Sequence, residues 1–560
     1  MVRLFETHKI RKNQELSGKL WDFTPLSPDF PREKQKVLVP GCLETYPGFG
    51  NYRGWCSYET TFEAEGNVRL EFKGVSHFAE VYVDGEKIAS HYGSYTPFEA
   101  VVKGMKPGKH ELRVLVDNAF REEYTLDMPN DYMSYGGISR GVLLEQVGEL
   151  YLKYLHFTPI GEKDGVWEAD VEIAAENLSE ATLEGSVRLQ IADTVIETEK
   201  RTFQPGETVW TIKGLRIPGV IAWSMEHPAL YQMEGILLQD GREIDDWIDR
   251  IGFRTVRVEG NQVLLNGRPL RIKGFCRHED HPQYGCALPA SAIAYDLQLI
   301  RDLGANSVRT SHYPNDELFL DLCDEMGILV WEENHARGLS SEQMQKPGFE
   351  EQCEQVIREM ITCHYNHPSI YIWGILNECG SENEAGRSCY QAQCELIRSL
   401  DQSRPCSFAS CKFREDICQD LPDVCSWNLY PYWYEDKTAT RMAGEQMEWV
   451  REHGGAGKPF LITEIGAGGI YGFRDTAHDV WSEELQAEIL KKQLTEVAAL
   501  EECMGMYIWQ FCDVRVSRIY WAIRRPKSRN NKGVVDEYRR PKLAYQAVKE
   551  IFSSLPDYRE

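Results

Sequence analysis

Apolar and polar residues alternate over short stretches in the first half of the chain, with turn residues between them. The alternation is clear in VRLEFKG (68–74) and in AEVYVDGEKIAS (79–90), where Asp84-Gly85 is a strong hairpin signal. Because successive side chains of a strand point to opposite faces, this pattern predicts half-buried strands. No segment up to residue 148 has the period of a helix. We therefore predict an all-β jelly-roll sandwich over residues 1–148.

The same rhythm continues to about residue 258. WEADVEIAAEN (167–177), GSVRLQIAD (185–193) and ALYQMEGILLQD (229–240) have the length and spacing of strands in an immunoglobulin-like sandwich. We predict such a β-sandwich over residues 149–258.

Strands alternate with helices from about residue 259. Ala290–Leu303 places apolar side chains on one helical face, and Gly304 follows where a C-terminal cap is expected. We predict further helices over 315–326, 349–364, 384–400 and 483–500. Eight strand candidates accompany them: RIKGF, NSVRTS, GILVWEE, IYIWGILNE, SFAS, VCSWN, PFLITE and MYIWQF. Several are apolar throughout, as in a buried parallel sheet, so residues 259–560 are predicted to form a (β/α)8 TIM barrel with its active site at the carboxyl ends of the strands.

Composition narrows the class of partner. The 560 residues include 62 Lys and Arg against 87 Asp and Glu, a net charge of −25, which argues against nucleic acid or an anionic membrane as the main partner. The 16 cysteines contain no CxxC pair, so we expect free thiols and no zinc. The N-terminus lacks an apolar secretion signal, and no apolar run approaches the ~18 residues of a membrane span. These features predict a cytoplasmic protein.

Two predicted barrel strands end in a glutamate. IYIWGILNE ends at Glu378 and PFLITE ends at Glu464. An ionised carboxylate at the end of a buried strand is costly unless it is paired or used. Each alone could pair with an arginine or cap a helix. Two of them at one barrel mouth favour paired acid and nucleophile chemistry, of which glycoside hydrolysis is the commonest case.

The chain as a whole resembles glycoside hydrolase family 2. GFRTV (252–256), LNGRPLRIKGFCRHEDHP (265–282), GANSVRTSHYP (304–314), NHPSIYIWGILNE (366–378) and FLITEIG (460–466) follow one another in the order of that family. The resemblance implies a retaining hydrolase with Glu378 as acid/base, Glu464 as nucleophile and Asn377 bonded to the sugar 2-hydroxyl. Many relatives have a proline after the acid, whereas Cys379-Gly380 follows it here, which puts the geometry of that loop in doubt.

A basic stretch stands out near the C-terminus. Residues 513–545 hold ten basic and three acidic residues and include RPKSRNNKG (525–533). It could be a solvated loop or a subunit contact. Family members that cleave glucuronides share an Asn-x-Lys motif here that binds the C6 carboxylate, and the resemblance gives these roles to Asn530 and Lys532. A mouth with two glutamates would repel an anionic sugar, so a local cation is needed.

The resemblance also assigns further roles. Asp131 and His312 would bind sugar hydroxyls, and Asn428 would be a substrate-site asparagine. Tyr430 and Tyr434 would bond the nucleophile or line the pocket, and Trp509 would be an aromatic platform. His278 and Arg309 would brace the carboxylates. His312 could instead be structural and Trp509 could only pack in the core. The loop from Asn334 to about Lys346 is short, which predicts an open aglycone site.

The sequence thus predicts a retaining exo-β-glucuronidase, bacterial and homo-oligomeric, acting on small glucuronide conjugates or oligosaccharide ends. A β-galactosidase or β-galacturonidase on the same scaffold is an alternative, and a non-catalytic carbohydrate-binding protein is a remote one. The retaining mechanism needs no metal or cofactor. A flavin mononucleotide site away from the active site, which some relatives are thought to carry, stays open.

Overall fold

The computed structural model describes residues 2–519, 522 and 524–559. The N-terminal unit is a β-sandwich whose strands are β1 (Asn13–Glu15), β2 (Lys19–Pro25), β3 (Gln35–Val39), β4 (Trp55–Phe72), β5 (Val75–Ser76), β6 (Phe78–Val83), β7 (Glu86–Tyr92), β8 (Phe98–Asp117), β9 (Gly137–Ile138) and β10 (Val142–Val147). The long strand β4 pairs with β2 through its first half and with β10 through its second half. The two halves of β4 thereby pair with different strands, and the strands of the sandwich enclose one apolar core.

The second unit is an immunoglobulin-like sandwich of two antiparallel sheets. Its strands are β11 (Leu150–Lys163), β12 (Val166–Asn177), β13 (Leu183–Ile191), β14 (Thr194–Glu197), β15 (Arg201–Phe203), β16 (Gly206–Pro218), β17 (Tyr231–Gln239) and β18 (Arg242–Ile251). One sheet is ordered β11-β12-β16. The other is ordered β14-β13-β17-β18, with β15 beside β13. A separate apolar core lies between the sheets.

A short antiparallel sheet of β19 (Val256–Glu259), β20 (Gln262–Leu265) and β21 (Arg268–Pro269) leads into the third unit. That unit is a closed barrel of eight parallel strands. They are β22 (Ile272–Cys276), β23 (Ser307–Arg309), β24 (Leu329–Glu333), β25 (Ile370–Asn377), β26 (Cys406–Ser410), β27 (Val424–Asn428), β28 (Phe460–Ile465) and β29 (Cys503–Ile508). Every residue of these strands is buried, which explains their apolar composition.

Helices cover the barrel: α1 (Ala290–Asp302), α2 (Glu317–Met326), α3 (Ser341–Met344), α4 (Phe349–His364), α5 (Glu384–Leu400), α6 (Ala439–Glu452), α7 (Glu483–Ala498) and α8 (Leu543–Ser554). The link from β26 to β27 carries only a 3-10 turn, Phe413–Glu415. A last hairpin of β30 (Val514–Arg515) and β31 (Arg529–Asn530) follows β29. No helix among the described residues is long and apolar enough to cross a membrane.

The predicted fold class is confirmed, including all eight barrel strands. Asp84 and Asn266 have the positive φ values, 50° and 51°, that their hairpin turns require. Gly304, at φ 78°, follows the end of α1 as expected. The helices α6 and α8 were not predicted. The boundaries at residues 148 and 258 stay predictions.

The N-terminal segment joins the units through buried ion pairs. Arg11 binds Glu145 of the first sandwich at 2.8 Å and Asp245 of the second at 2.7 Å. Arg3 binds Asp249 of the second sandwich at 3.3 Å and Asp321 of the barrel at 2.9 Å. Because these charges are almost completely buried, each depends on its partner.

Replacing Arg11 with methionine should destabilise the protein by about 3–5 kcal/mol, because the buried Asp245 loses its cation and the buried Glu145 keeps only that of Arg69. The midpoint of urea denaturation measures this loss. Arg216→Met is the control, since Arg216 is exposed and forms no ion pair with any described residue; its effect should stay within about 0.5 kcal/mol. Equal effects of the two substitutions would contradict a structural role for the buried pair.

Candidate active site

The two predicted catalytic glutamates both lie at the carboxyl end of the barrel. Glu378 follows β25, the fourth strand, and Glu464 lies in β28, the seventh. Glu378 has a positive φ of 53°, a strained conformation for a residue with a side chain. Asn428, at the end of β27, donates its side-chain amide to Glu378 Oε1 at 3.0 Å. The strand ends therefore bring both carboxyl groups into one mouth.

A buried guanidinium organises this mouth. Arg309, at the end of β23, donates to Glu464 Oε1 at 3.0 Å and to Asn377 Oδ1 at 2.7 Å. It also donates to both carboxylate oxygens of Glu333, at 2.8 and 3.0 Å. The predicted bracing role of Arg309 thus corresponds to direct contact with Glu464.

Glu464 is 4 % exposed and accepts a 2.6 Å hydrogen bond from the Tyr430 hydroxyl. Burial, reinforced by the charge of Glu378, raises the pKa of Glu464 to about 7; Arg309 and the Tyr430 bond act in the opposite direction. Glu464 therefore titrates near neutral pH and is coupled to the charge of the neighbouring Glu378.

Two side chains offer free polar atoms in this mouth. Asn377 Oδ1 accepts from Arg309 and Asn428, whereas its Nδ2 is buried without a partner among the described residues. His312 binds Glu333 Oε1 through Nδ1 at 2.8 Å, and its Nε2 has no hydrogen-bond partner among the described residues, with Glu464 Oε1 3.9 Å away. Burial and the charge of Arg309 lower the pKa of His312, so its imidazole is neutral. Both atoms are suited to bind sugar hydroxyls.

Lys532 is 1 % exposed, yet its ammonium forms no ion pair with any described carboxylate. It lies 5.8 Å from the centre of the Tyr430 ring and 5.2 Å from that of Tyr434, which is itself 59 % exposed. Burial, together with the charge of Arg525, lowers the pKa of Lys532. Tyr434 and the charge of Asp131 oppose this shift. Because Tyr430 also donates to Glu464, the ring of Tyr430 lies between the Lys532 ammonium and the predicted catalytic glutamates.

Asp131 extends from the first sandwich into the same mouth. Its Oδ2 accepts from Asn530 Nδ2 at 3.0 Å and from Arg525 Nη2 at 2.8 Å, and its buried Oδ1 has no hydrogen-bond partner among the described residues. Although burial opposes its charge, Arg337, Arg525 and Lys532 hold the pKa of Asp131 well below its usual range. Asp131 is therefore an ionised acceptor beside the Asn-x-Lys motif.

Trp509 and His278 form the aromatic wall of the mouth. Trp509 is 3 % exposed and stacks on His312 with ring centres 5.0 Å apart, so one of its faces is already covered. His278 bonds the Tyr313 hydroxyl at 3.2 Å and packs edge-on against Trp509. His278 thus reaches the glutamates only indirectly, through its neighbours.

Three charged residues of the site were missed from the sequence. Glu333 holds Arg309 and His312, and it follows the strand-end pattern that identified Glu378 and Glu464. Arg525 begins the quoted basic stretch. Arg337 donates to Asn130 Oδ1 at 2.7 Å and to Glu378 Oε2 at 3.3 Å. It lies in the short loop after β24, which showed no motif; that loop also holds α3, with its capping box at Ser340.

One cluster among the described residues has the composition of a metal site: Asp321, Asp324 and His367. It lies before the start of β25, at the opposite end of the barrel from Glu378. Its oxygens already bond Arg3, His367 and the Ser369 amide. The cluster is thereby satisfied as a structural network.

Comparison with known families agrees with this geometry. Residues 256–556 match the domain described as glycosyl hydrolases family 2, TIM barrel domain. Residues 150–254 match glycosyl hydrolases family 2, and residues 37–147 match its sugar binding domain. The chain belongs to glycoside hydrolase family 2.

Individual relatives cover most of the chain. A crystal structure of a family 2 β-galacturonidase from Eisenbergiella tayi, bound to galacturonate, is 56% identical, with all of both chains covered and a TM-score of 0.97. A β-glucuronidase from Paenibacillus borealis is 28% identical over 90% of this chain and 88% of its own. A relative from Formosa agariphila is 28% identical over 91% of this chain, which spans only 65% of that longer protein.

Tyr430→Phe tests the proton balance of the glutamate pair. When both carboxyl groups are ionised, the site has no general acid. We therefore expect kcat/KM of this family 2 hydrolase to fall as pH rises through about 7. Without the Tyr430 hydroxyl the pKa of Glu464 rises further. The alkaline limb should therefore move to higher pH, and kcat at the optimum should fall about tenfold.

A pH profile of kcat/KM for each variant measures this effect. Tyr434→Phe is the control, because no hydrogen bond joins Tyr434 to Glu464, and its alkaline limb should stay where it is. An unchanged limb in Tyr430→Phe would show that the hydrogen bond does not set the pKa of the pair.

Proposed function

We propose that this chain is a retaining exo-β-uronidase that hydrolyses β-D-glucuronides through a covalent glycosyl-enzyme. Support comes from two glutamates at one barrel mouth, from the raised pKa of Glu464, and from a cation near them. Relatives named β-glucuronidase match about nine tenths of the chain. A non-catalytic binding protein would need neither the carboxyl pair nor its supporting contacts.

The observation that carries the substrate class is the buried ammonium of Lys532. Burying a charge that has no carboxylate in contact is unfavourable, and burial together with the charge of Arg525 lowers the pKa of Lys532. A carboxylate bound beside it would supply the missing charge and restore the ordinary pKa. A uronic acid carries such a group at C6, whereas a neutral hexose would leave the ammonium unpaired.

The first step would form the glycosyl-enzyme. A carboxylate oxygen of Glu464 attacks the anomeric carbon, the bond to the leaving oxygen breaks, and Glu378 donates its proton to that oxygen. Arg309 and Tyr430 hold Glu464 from two sides and fix the direction of its attacking oxygen. The free Nδ2 of Asn377 would donate to the 2-hydroxyl.

The second step would release the sugar. Glu378, now ionised, takes a proton from water, whose oxygen attacks the anomeric carbon while the bond to Glu464 breaks. Asn428 and Arg337 both contact the carboxylate of Glu378 and stabilise its charge at this stage. No cofactor enters either step, and a flavin mononucleotide site elsewhere stays a prediction.

β-D-Galacturonides are the second candidate substrates. The structure that is 56% identical to this chain is that of a β-galacturonidase, and the two sugars share the C6 carboxylate. They differ only at C4, which neighbours the carbon that bears the carboxylate. With the anion at Lys532, the C4 hydroxyl would fall near Asp131, which is bonded to Asn530 of the same motif. Asp131, with the arginines that contact it, would therefore determine whether the enzyme prefers the glucuronide or the galacturonide.

The cytoplasmic location and the homo-oligomeric assembly of the protein are also part of this proposal. Fourteen of the 16 free cysteines are buried and two are partly buried, which fits the reducing cytoplasm predicted from the sequence. Bacterial origin, homo-oligomeric assembly and an open aglycone site stay predictions.

Removing the catalytic glutamates tests the mechanism. Glu464→Ala should abolish turnover, and a mechanism-based glycosyl label should attach to Glu464 of the unmodified enzyme. Glu378→Ala should lose about 10²–10⁴-fold in kcat with poor leaving groups and far less with activated aryl groups, which need little protonation. Peptide mapping locates the label, and attachment elsewhere would contradict the assigned nucleophile.

Lys532→Ala tests the substrate class. Its kcat/KM should fall about 10–100-fold for an aryl glucuronide or galacturonide, and less than about threefold for the matching glucoside or galactoside. Lys491→Ala, at an exposed lysine of α7, is the control and should change neither. Assaying the four aryl glycosides side by side on the unmodified enzyme also identifies the preferred C4 epimer. Equal losses on uronides and hexosides would mean that Lys532 is only structural.

A further inference from the structure

The basic stretch 513–545 contains more cations than the proposed site uses. Lys532 and Arg525 face the pocket. Others are engaged in the fold: Arg539 with Asp296, Arg540 with Asp536, Lys542 with Asp513, and Arg515 with the Gly50 carbonyl. Arg529 is half-buried and its charge acts on Asp280. Of the ten basic residues, Arg518, Arg524 and Lys527 remain.

These three side chains are exposed and form neither an ion pair nor a hydrogen bond with any described residue. Exposed cations without an ion pair occur elsewhere in the described chain, as at Lys163, Lys200 and Lys213. These three differ in lying within ten residues of one another, next to residues that contact the pocket mouth, in a chain with a net charge of −25.

Their backbone is fixed against the active site. Ser517, next to Arg518, donates its hydroxyl to the Tyr132 carbonyl at 2.8 Å and its amide to the Asn130 carbonyl at 3.1 Å. Arg525, next to Arg524, binds Asp131 at 2.8 Å. Arg518 and Arg524 thus adjoin residues that contact the mouth of the pocket, and Lys527 follows two residues after Arg525.

We propose that Arg518, Arg524 and Lys527 form a cationic rim that binds anionic groups on the aglycone, so that the natural substrate is the end of an acidic glycan chain. This rests on the proposed uronidase activity. The C6 carboxylate of the bound sugar belongs inside, at Lys532. An anion that reaches the rim while the sugar is bound must therefore belong to the rest of the substrate, as a carboxylate or a sulfate.

The physical need for such a rim follows from the overall charge. A surface of net charge −25 repels an acidic chain, and the repulsion extends over a Debye length of about 8 Å at physiological salt. A local cluster of cations reverses the sign of the potential where the substrate enters. Carboxylates and sulfates beyond the first sugar would then add to the affinity instead of opposing it.

The test compares two triple variants of equal charge. Arg518→Gln/Arg524→Gln/Lys527→Gln removes the rim. Lys163→Gln/Lys200→Gln/Lys213→Gln removes three exposed lysines of the second sandwich that also form no ion pair with any described residue. The substrates are aryl uronides of whichever sugar, glucuronic or galacturonic acid, the unmodified enzyme hydrolyses. Their aglycones are neutral, carboxylated or sulfated, and each is assayed at low and at high salt.

The rim variant should lose about three- to tenfold in kcat/KM for the charged aglycones at low salt, through KM, and much less for the neutral one. High salt should remove the difference, and the control variant should match the unmodified enzyme. A loss confined to one charged aglycone identifies carboxylate or sulfate as the anion recognised.

Other results would overturn the proposal. Equal losses in both triple variants would indicate an effect of net charge alone, and equal losses on charged and neutral aglycones would show that the rim does not contact the aglycone. An unmodified enzyme without activity on any uronide would contradict the proposed function and this proposal with it. If the enzyme hydrolyses uronides but the rim variant loses no activity on charged aglycones, only the proposed cationic rim would be overturned.

Discussion

The guanidinium of Arg309 is the contact on which the candidate active site depends. It is completely buried, so its charge must be satisfied within the barrel, and it is bonded to Glu333, Glu464 and Asn377 at once. One rigid planar group thereby fixes side chains from three other strands. Because Glu333 also binds His312, the same network sets the orientation of Glu464, the proposed nucleophile, and of His312.

The mouth is complete only because the first sandwich contributes to it. Asp131 bonds Asn530 and Arg525, and Arg337 of the barrel bonds Asn130. Buried ion pairs at Arg3 and Arg11 hold the three units together far from this mouth. Stable packing of the sandwich is therefore part of substrate recognition, since an ionised acceptor in the pocket comes from a different unit than the glutamates.

Much of this architecture could be predicted from the sequence, because buried parallel strands and strand-end carboxylates leave a local signal. Glu378, Glu464 and Lys532 lie in such patterns or in a recognisable motif. Glu333 shows the limit of that signal, since it also ends a strand but pairs with Arg309. Arg337 could not be found, because its place depends on the approach of Asn130 from another unit. The helices α6 and α8 were not predicted, although the helices near them in sequence were.

Charge compensation separates the structural groups of this protein from those available to a substrate. Arg309, Arg11 and Asp131 are buried and each has opposite charges in contact, so they are satisfied without a ligand. Lys532 is equally buried and has none, and the free atoms of Asn377 and His312 lie near the same glutamates. Fold stability alone does not account for these groups, because burying an unsatisfied polar atom is unfavourable. Their convergence at one end of the barrel is therefore best explained by a bound sugar that carries both hydroxyls and a carboxylate.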